Sequence, residues 1–190
     1  MLTVVIATKD SERALVPTLA ALVTGATAGL VSEVLIADGG SRDDTTAVAE
    51  HAGCNFVVLD APLAQRLNAA AGKARAQWLL FLQPGTVLDA TWIGDAQRFA
   101  EMSMPEDYAA AFRRGAPMRA GLRDALSLLA TALGRLPRPE QGLLIAKSFH
   151  SKLGGHSETA TDPERDLIRR IGRRRLTTLP TIAYRALRYT

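Results

Sequence analysis

The residues best suited to chemistry fall at three places along the chain. Asp38 stands directly after the apolar run Val34–Ala37 and opens Asp38-Gly39-Gly40-Ser41-Arg42-Asp43-Asp44. A carboxylate is costly at the end of a buried run without a partner, and it can accept hydrogen bonds from a ribose hydroxyl or a base N–H. Gly39 and Gly40 let the backbone approach a ligand closely. Ser41 followed by Asp44 also has the spacing of a helix cap, so a ligand loop and a capped turn both fit Ser41 and Asp43. Arg66 is the second place: a planar guanidinium binds diphosphate oxygens bidentately, and it equally suits a solvated helix face. Asn68 beside it suits a structural hydrogen bond. The third place is Asp162-Pro163-Glu164-Arg165-Asp166. Pro163 fits a first helical turn, which puts Asp162 at the N-cap. Acidic residues at such a helix start also complement its dipole.

The elements that must position these groups follow from periodicity. Thr3–Ala7, Val34–Ala37, Phe56–Leu59 and Trp78–Leu82 read as strands. Between them, Ser11–Val23, a segment from Asp43 to His51, and Leu63–Arg75 read as helices. Continuous rather than alternating apolar strands predict burial on both faces, hence a parallel sheet flanked by helices. Trp78 and Phe81 belong to its core. The second half is less regular. Helices are expected at Ala90–Glu101, Leu122–Leu133, Lys147–Leu153 and Pro163–Ile171, and strands at Tyr108–Phe112, Gly142–Ala146, Leu176–Leu179 and Ile182–Leu187. No internal repeat and no low-complexity linker interrupts the chain, which favours one α/β domain over residues 1–190.

Composition narrows the classes further. The chain has 190 residues, 47% of them hydrophobic and 22% charged, an ordinary globular balance that excludes disorder. One cysteine, Cys54, excludes a disulfide framework and a zinc cluster, which fits a reducing cytoplasmic setting. His51 and His150 lack metal-ligand spacing. No segment has the length of a membrane span or the pattern of a signal peptide. The net charge of +4 hides an asymmetry: residues 1–95 hold 6 Lys/Arg against 10 Asp/Glu, and residues 96–190 hold 17 against 9. No nucleic-acid motif accompanies the basic half. The segment after the first strand, Ala7-Thr8-Lys9-Asp10-Ser11, contains neither G-x-G-x-x-G nor G-x-x-x-x-G-K-[ST], which excludes a dinucleotide fingerprint and a P-loop.

An open parallel sheet takes ligands beyond the carboxyl ends of its strands, and the segments there resemble those of a known family. Val4-Val-Ile-Ala-Thr-Lys-Asp10, Glu33-Val-Leu-Ile-Ala-Asp-Gly-Gly-Ser-Arg-Asp-Asp-Thr45 and Gln65-Arg-Leu-Asn68 followed by Trp78–Leu82 are similar to segments of the family 2 glycosyltransferases of GT-A fold. Glu140-Gln-Gly-Leu-Leu-Ile145, Lys152-Leu-Gly-Gly-His156 and Pro163–Ile171 continue the resemblance in the right order, in the flavour of a small bacterial subgroup. It covers nearly the whole chain. It implies a GT-A-type fold with a nucleotide-binding half (1–89) and an acceptor half (90–190).

The resemblance also implies a site for a nucleotide-diphospho-sugar. Thr8 and Asp10 would flank base and ribose, Asp38 would bind the base edge, Gly39, Gly40 and Ser41 would pass the ribose, and Arg66 would meet base or diphosphate. Gap-free matching makes Glu164 the first candidate base and Asp162 the second. Glu140, Gln141, Gly155 and His156 fall on the acceptor side, where a saccharide or lipid-linked hydroxyl would bind, with an anionic membrane surface as a possible neighbour. One departure stands out. The family carries a D-x-D metal motif after the fourth strand, and here Gln83 and Gly85 occupy those two positions. Mg²⁺ or Mn²⁺ would have lost its usual carboxylates, with Asp89 the nearest other candidate, so no cofactor is assigned. Charge on the leaving diphosphate would then fall to arginines, with Arg113, Arg114, Arg119 and Arg173–Arg175 as candidates. The expected function is inverting glycosyl transfer, with a catalytically silent nucleotide-sugar binder as the alternative. A nucleotidyltransferase is disfavoured by the missing Gly-rich phosphate loop.

Overall fold

The computed structural model describes residues 1–101, 107–115 and 136–186. Eight strands form one sheet in the order β3-β2-β1-β4-β7-β6-β8-β5. The strands are β1 (Leu2–Thr8), β2 (Val31–Asp38), β3 (Asn55–Val58), β4 (Trp78–Leu82), β5 (Thr86–Leu88), β6 (Ala109–Arg114), β7 (Leu143–Ala146) and β8 (Leu176–Arg185). The helices are α1 (Glu12–Thr27), α2 (Thr45–His51), α3 (Leu63–Lys73), α4 (Trp92–Glu101), α5 (Lys147–Lys152) and α6 (Pro163–Ile171).

The first half follows the expected βα rhythm. β1 pairs in parallel with β2 and β4, and β2 with β3. Val4, Val5, Ile6, Leu79 and Leu80 are fully buried, as continuous apolar runs require in a sheet covered on both faces. The second half reverses direction. β7 runs antiparallel to β4 and β6, β8 runs parallel to β6, and β5 runs antiparallel to β8. The sheet therefore interleaves strands from both halves of the chain.

Two differences from the sequence reading have clear causes. β5 is only three residues long, too short for any period to register. The two final strands expected on either side of Pro180 are one strand, β8. Its pairing with β6 steps from Phe112↔Leu179 to Arg113↔Ile182, so Pro180 and Thr181 form a bulge. A proline has no N–H for the ladder and is tolerated at such a bulge. The Thr181 N–H is satisfied instead by Asp95 Oδ2 at 2.9 Å. The helix expected at Leu122–Leu133 lies outside the described residues.

Candidate functional site

The loops after β1, β2 and β4 meet at one end of the sheet, and a hydrogen-bond network locks the first two together. Asp38, 3% exposed, is its centre. Oδ1 accepts from the hydroxyls of Thr8 (2.7 Å) and Ser41 (2.5 Å), and Oδ2 accepts from the N–H groups of Gly40 (2.9 Å) and Ser41 (2.8 Å). Burial pushes the Asp38 carboxyl up, but the bonds from Ser41, Thr8 and Gly40 outweigh it and hold the group below its ordinary value. A carboxylate has about four acceptor positions, and these bonds fill them. Asp38 and Thr8 therefore shape the loop from inside. Gly40 takes a positive φ of 78° to wrap around the carboxylate.

Asp10 belongs to the same lattice. Its N–H donates to Ser41 Oγ (2.9 Å) and its Oδ1 accepts from the Arg42 N–H (2.7 Å), which holds a non-glycine residue at φ 48°. Capping falls to Asp43 rather than to Ser41 and Asp44. Asp43 Oδ2 accepts from the Glu12 N–H at the start of α1, and its Oδ1 from the Thr45 N–H at the start of α2.

Arg66, on α3, is buried beneath this network. Nη1 donates to the carbonyls of Thr8 (2.6 Å) and Ala37 (3.0 Å), and Nε to that of Ala61 (3.1 Å). A Cβ at Gly39 would come within 2.8 Å of Nη1, so a side chain there would have to displace the guanidinium packed against it. Nη2 takes no partner among the described residues and remains the end of Arg66 able to meet a ligand.

After β4 the chain makes a tight turn. The Thr86 N–H donates to the Gln83 carbonyl (3.0 Å), with Pro84 and Gly85 as the central pair and Gly85 at φ 89°. This is the pattern of a type II turn. Its N–H at Gly85 is pinned to Thr18 Oγ1 of α1 (2.9 Å). Gln83 faces a cleft of about 760 Å³ lined by Asp10, Ser11, Arg13, Gly85, Glu164 and Arg185 among others. Within it, Gln83 Nε2 donates to Glu164 Oε2 (2.7 Å), and Gln83 Oε1 accepts from Arg185 Nη1 (3.3 Å). Glu164 sits in the first turn of α6 and is half-buried. Burial pushes its carboxyl up to about 7, the Gln83 bond pulls the other way, and the charges of Asp162 and Glu140 add to the rise. That value suits a general base near neutral pH.

The remaining expected residues divide. Glu140 is exposed and its charge reaches Glu164. Asp162 is the N-cap of α6, accepting from the Arg165 N–H at 2.9 Å, and its charge acts on the Glu164 carboxyl. Gln141, Gly155 and His156 do not line the cleft. Gln141 is 4% exposed and bridges the Phe112 carbonyl and the Arg138 N–H. His156 is 2% exposed, packed edge-on to Phe81 and 3.2 Å from His150. Burial pushes the His150 ring down to about 4 and the His156 ring to about 3. Asn68 clamps the His156 backbone with two bonds of 2.8 Å, and a Cβ at Gly155 would strike its Oδ1 at 2.6 Å. Arg113, Arg114 and Arg173–Arg175 do not line the cleft, and Arg119 lies outside the described residues.

Residues 3–138 match the sequence profile described as Glycosyl transferase family 2. The chain belongs to this family. No curated protein sequence matches it significantly. Among solved structures, TarS of S. aureus superposes with a TM-score of 0.73 at 15% identity, over 97% of this chain and 60% of that one. The mannosyltransferase PcManGT of Pyrobaculum calidifontis, captured with GDP-Man and Mn²⁺, gives 0.74 at 16% identity, over 99% and 57%. Glucosyl-3-phosphoglycerate synthase of Mycobacterium tuberculosis gives 0.71 at 16% identity, over 99% and 72%. These are GT-A glycosyltransferases, and the fold of this chain is GT-A. The chain spans about 60% of the length of TarS and of PcManGT.

A divalent ion of the kind held by PcManGT wants several anionic oxygens. Here Gln83 supplies one neutral oxygen already engaged by Arg185, and Gly85 supplies none. Asp89 turns away, bonding the N–H groups of Thr91 and Ile182. Among the described residues no three His, Cys, Asp or Glu are grouped to hold a metal. The residues at this turn do not fit the ion.

Proposed function

We propose that this family 2 protein transfers a sugar from a nucleotide-diphospho-sugar to an acceptor hydroxyl with inversion, using Glu164 as the general base. The observation that carries the reading is the carboxyl of Glu164 in the cleft beside the strand ends, oriented by Gln83 at 2.7 Å and raised to about 7. A single displacement at the anomeric carbon needs a base on the acceptor hydroxyl and stabilisation of charge on the departing diphosphate. Glu164 answers the first need. Asp10, Asp38, Ser41 and Arg66 build the rigid floor on which the nucleoside would lie, Asp38 and Thr8 by holding the loop and Arg66 through its free Nη2. Glu140 borders the acceptor side. The acceptor is a saccharide or lipid-linked hydroxyl, and the excess of Lys/Arg in residues 96–190 suits contact with an anionic membrane surface. No helix among the described residues is long and apolar enough to cross a membrane.

The decisive experiment is release of nucleoside diphosphate from UDP-, GDP- and dTDP-sugars by the chain and by Glu164→Gln. Turnover by the parent falling at least a hundredfold in the variant, with donor affinity kept, is the expected result. Unchanged turnover in Glu164→Gln sinks the base assignment. Stability separates lost chemistry from lost fold. The folded carboxyl binds its proton more tightly than the unfolded one, so parent stability falls as pH rises from 4.5 through about 7. The glutamine variant lacks that burden and melts no lower than the parent above pH 7. The neutral turn Gln83–Gly85 favours a second reading, a silent nucleotide-sugar binder; donor binding without any turnover would establish it.

A further inference from the structure

We propose that Arg185 is the cation that meets the diphosphate of a bound nucleotide, so that the cleft takes a nucleoside diphosphate without a divalent ion. This rests on the reading of the cleft as a nucleotide-sugar site. The placement of Arg185 follows from strand pairing: Thr86 of β5 stands opposite Arg185 of β8, and the Ala186 N–H bonds the Gly85 carbonyl at 2.8 Å. The last residue of β8 is thereby fixed against the turn that closes β4. Arg185 Nε lies 3.8 Å from the position a Gly85 Cβ would take, and Nη1 lies 3.3 Å from Gln83 Oε1. Among the described residues no carboxylate comes within 4 Å of this guanidinium. Its one polar contact among the described residues is a long bond to a neutral amide, which leaves most of its five donors for a ligand.

The surroundings fit an anion at this point. Gly85 at φ 89° cannot carry a carboxylate without backbone strain, so no acidic side chain competes for Arg185 from the turn. Arg13, exposed on the first turn of α1, lines the same cleft. Asp10 and Asp43, also at its rim, direct oxygens to backbone N–H groups of Arg42, Glu12 and Thr45. Gln83 joins the two ends of the chemistry: its carbonyl oxygen faces Arg185 and its amide N–H faces Glu164. A diphosphate on Arg185 would therefore lie one side chain away from the carboxyl that receives the acceptor proton. A guanidinium binds phosphate oxygens through a fixed fork, and it supplies positive charge where Gln83 and Gly85 offer an ion too few oxygens.

The test is calorimetric titration of UDP and GDP into the chain in excess EDTA and then in Mn²⁺, with Arg185→Ala and Arg185→Lys alongside. Uridine and guanosine binding, followed by saturation-transfer NMR, reports on the nucleoside part and on the fold. The expected result is diphosphate binding in EDTA that Mn²⁺ changes less than threefold. Arg185→Ala should lose roughly 30-fold for the diphosphate and nothing for the nucleoside, with Arg185→Lys in between. Binding that requires Mn²⁺, or equal diphosphate affinity in Arg185→Ala, overturns the role of Arg185 and leaves the site reading standing. Failure of both nucleotides and both nucleosides to bind overturns the site reading, and this inference with it.

Discussion

In the proposed reaction Gln83 is the pivotal residue, because its one amide bonds both the Glu164 carboxyl and the Arg185 guanidinium. The amide donor to Glu164 favours the ionised carboxylate against burial and against the charges of Asp162 and Glu140. A general base must be ionised to work, so turnover should rise with pH and reach half its plateau near 7. In Gln83→Leu the favouring bond is gone and burial remains. The midpoint of the pH–rate profile should then move upward by roughly one unit, since a hydrogen bond to a charged group is worth about 1.5 kcal/mol or more. A midpoint that stays put would show that Gln83 does not position the base. Little of this was legible from residue types. Glu164 can be named by matching its segment to the family pattern, whereas the filling of Asp38's oxygens, by Gly40 and Ser41 close in the chain and by Thr8 30 residues away, shows only in the fold. Arg185 is not legible in the sequence because it lies 102 residues from Gln83, and the β5–β8 pairing is what brings the two together.

The elements are legible in the sequence where one physical signal dominates. β1, β2 and β4 are continuous apolar runs, and α6 announces itself with Asp162 as cap and Pro163 in its first turn. At β8 the apolar pattern, interrupted at Pro180 and Thr181, splits in the sequence into two strands that the bulge joins into one. Packing between elements is likewise invisible in a sequence. Gly25 lies inside α1, where glycine is ordinarily about 1 kcal/mol worse than alanine. In the fold, a Cβ at Gly25 would stand 2.2 Å from Trp92 Cζ2, and Trp92 is fully buried. Gly25→Ala should therefore destabilise the chain by about 2 kcal/mol, the scale of an overpacked core. Denaturant titration measures it, and a gain in stability would show that α4 can yield to α1. The indole N–H of Trp92 has no hydrogen-bond partner among the described residues, so its contact with α1 rests on shape.

At the scale of the whole molecule, the uneven charge of the two halves acquires a place. The half with 10 Asp/Glu against 6 Lys/Arg builds the loops after β1 and β2, where Asp10, Asp38 and Asp43 spend their carboxylates on backbone N–H groups and hydroxyls. The basic half sends β8 back across the sheet and delivers Arg185 to the turn after β4. Its other arginines expected at the diphosphate, among the described residues, stay outside the cleft. Whether the cleft lined by Gln83, Glu164 and Arg185 receives the nucleotide is decided by a crystal structure with UDP or GDP, grown in EDTA. The diphosphate is expected within hydrogen-bond reach of Arg185 and beside Gln83, with the nucleoside over the Asp10–Ser41 loops. A nucleotide seated elsewhere, such as the apolar groove formed by Val16, Leu19, Val48 and Cys54, would contradict it.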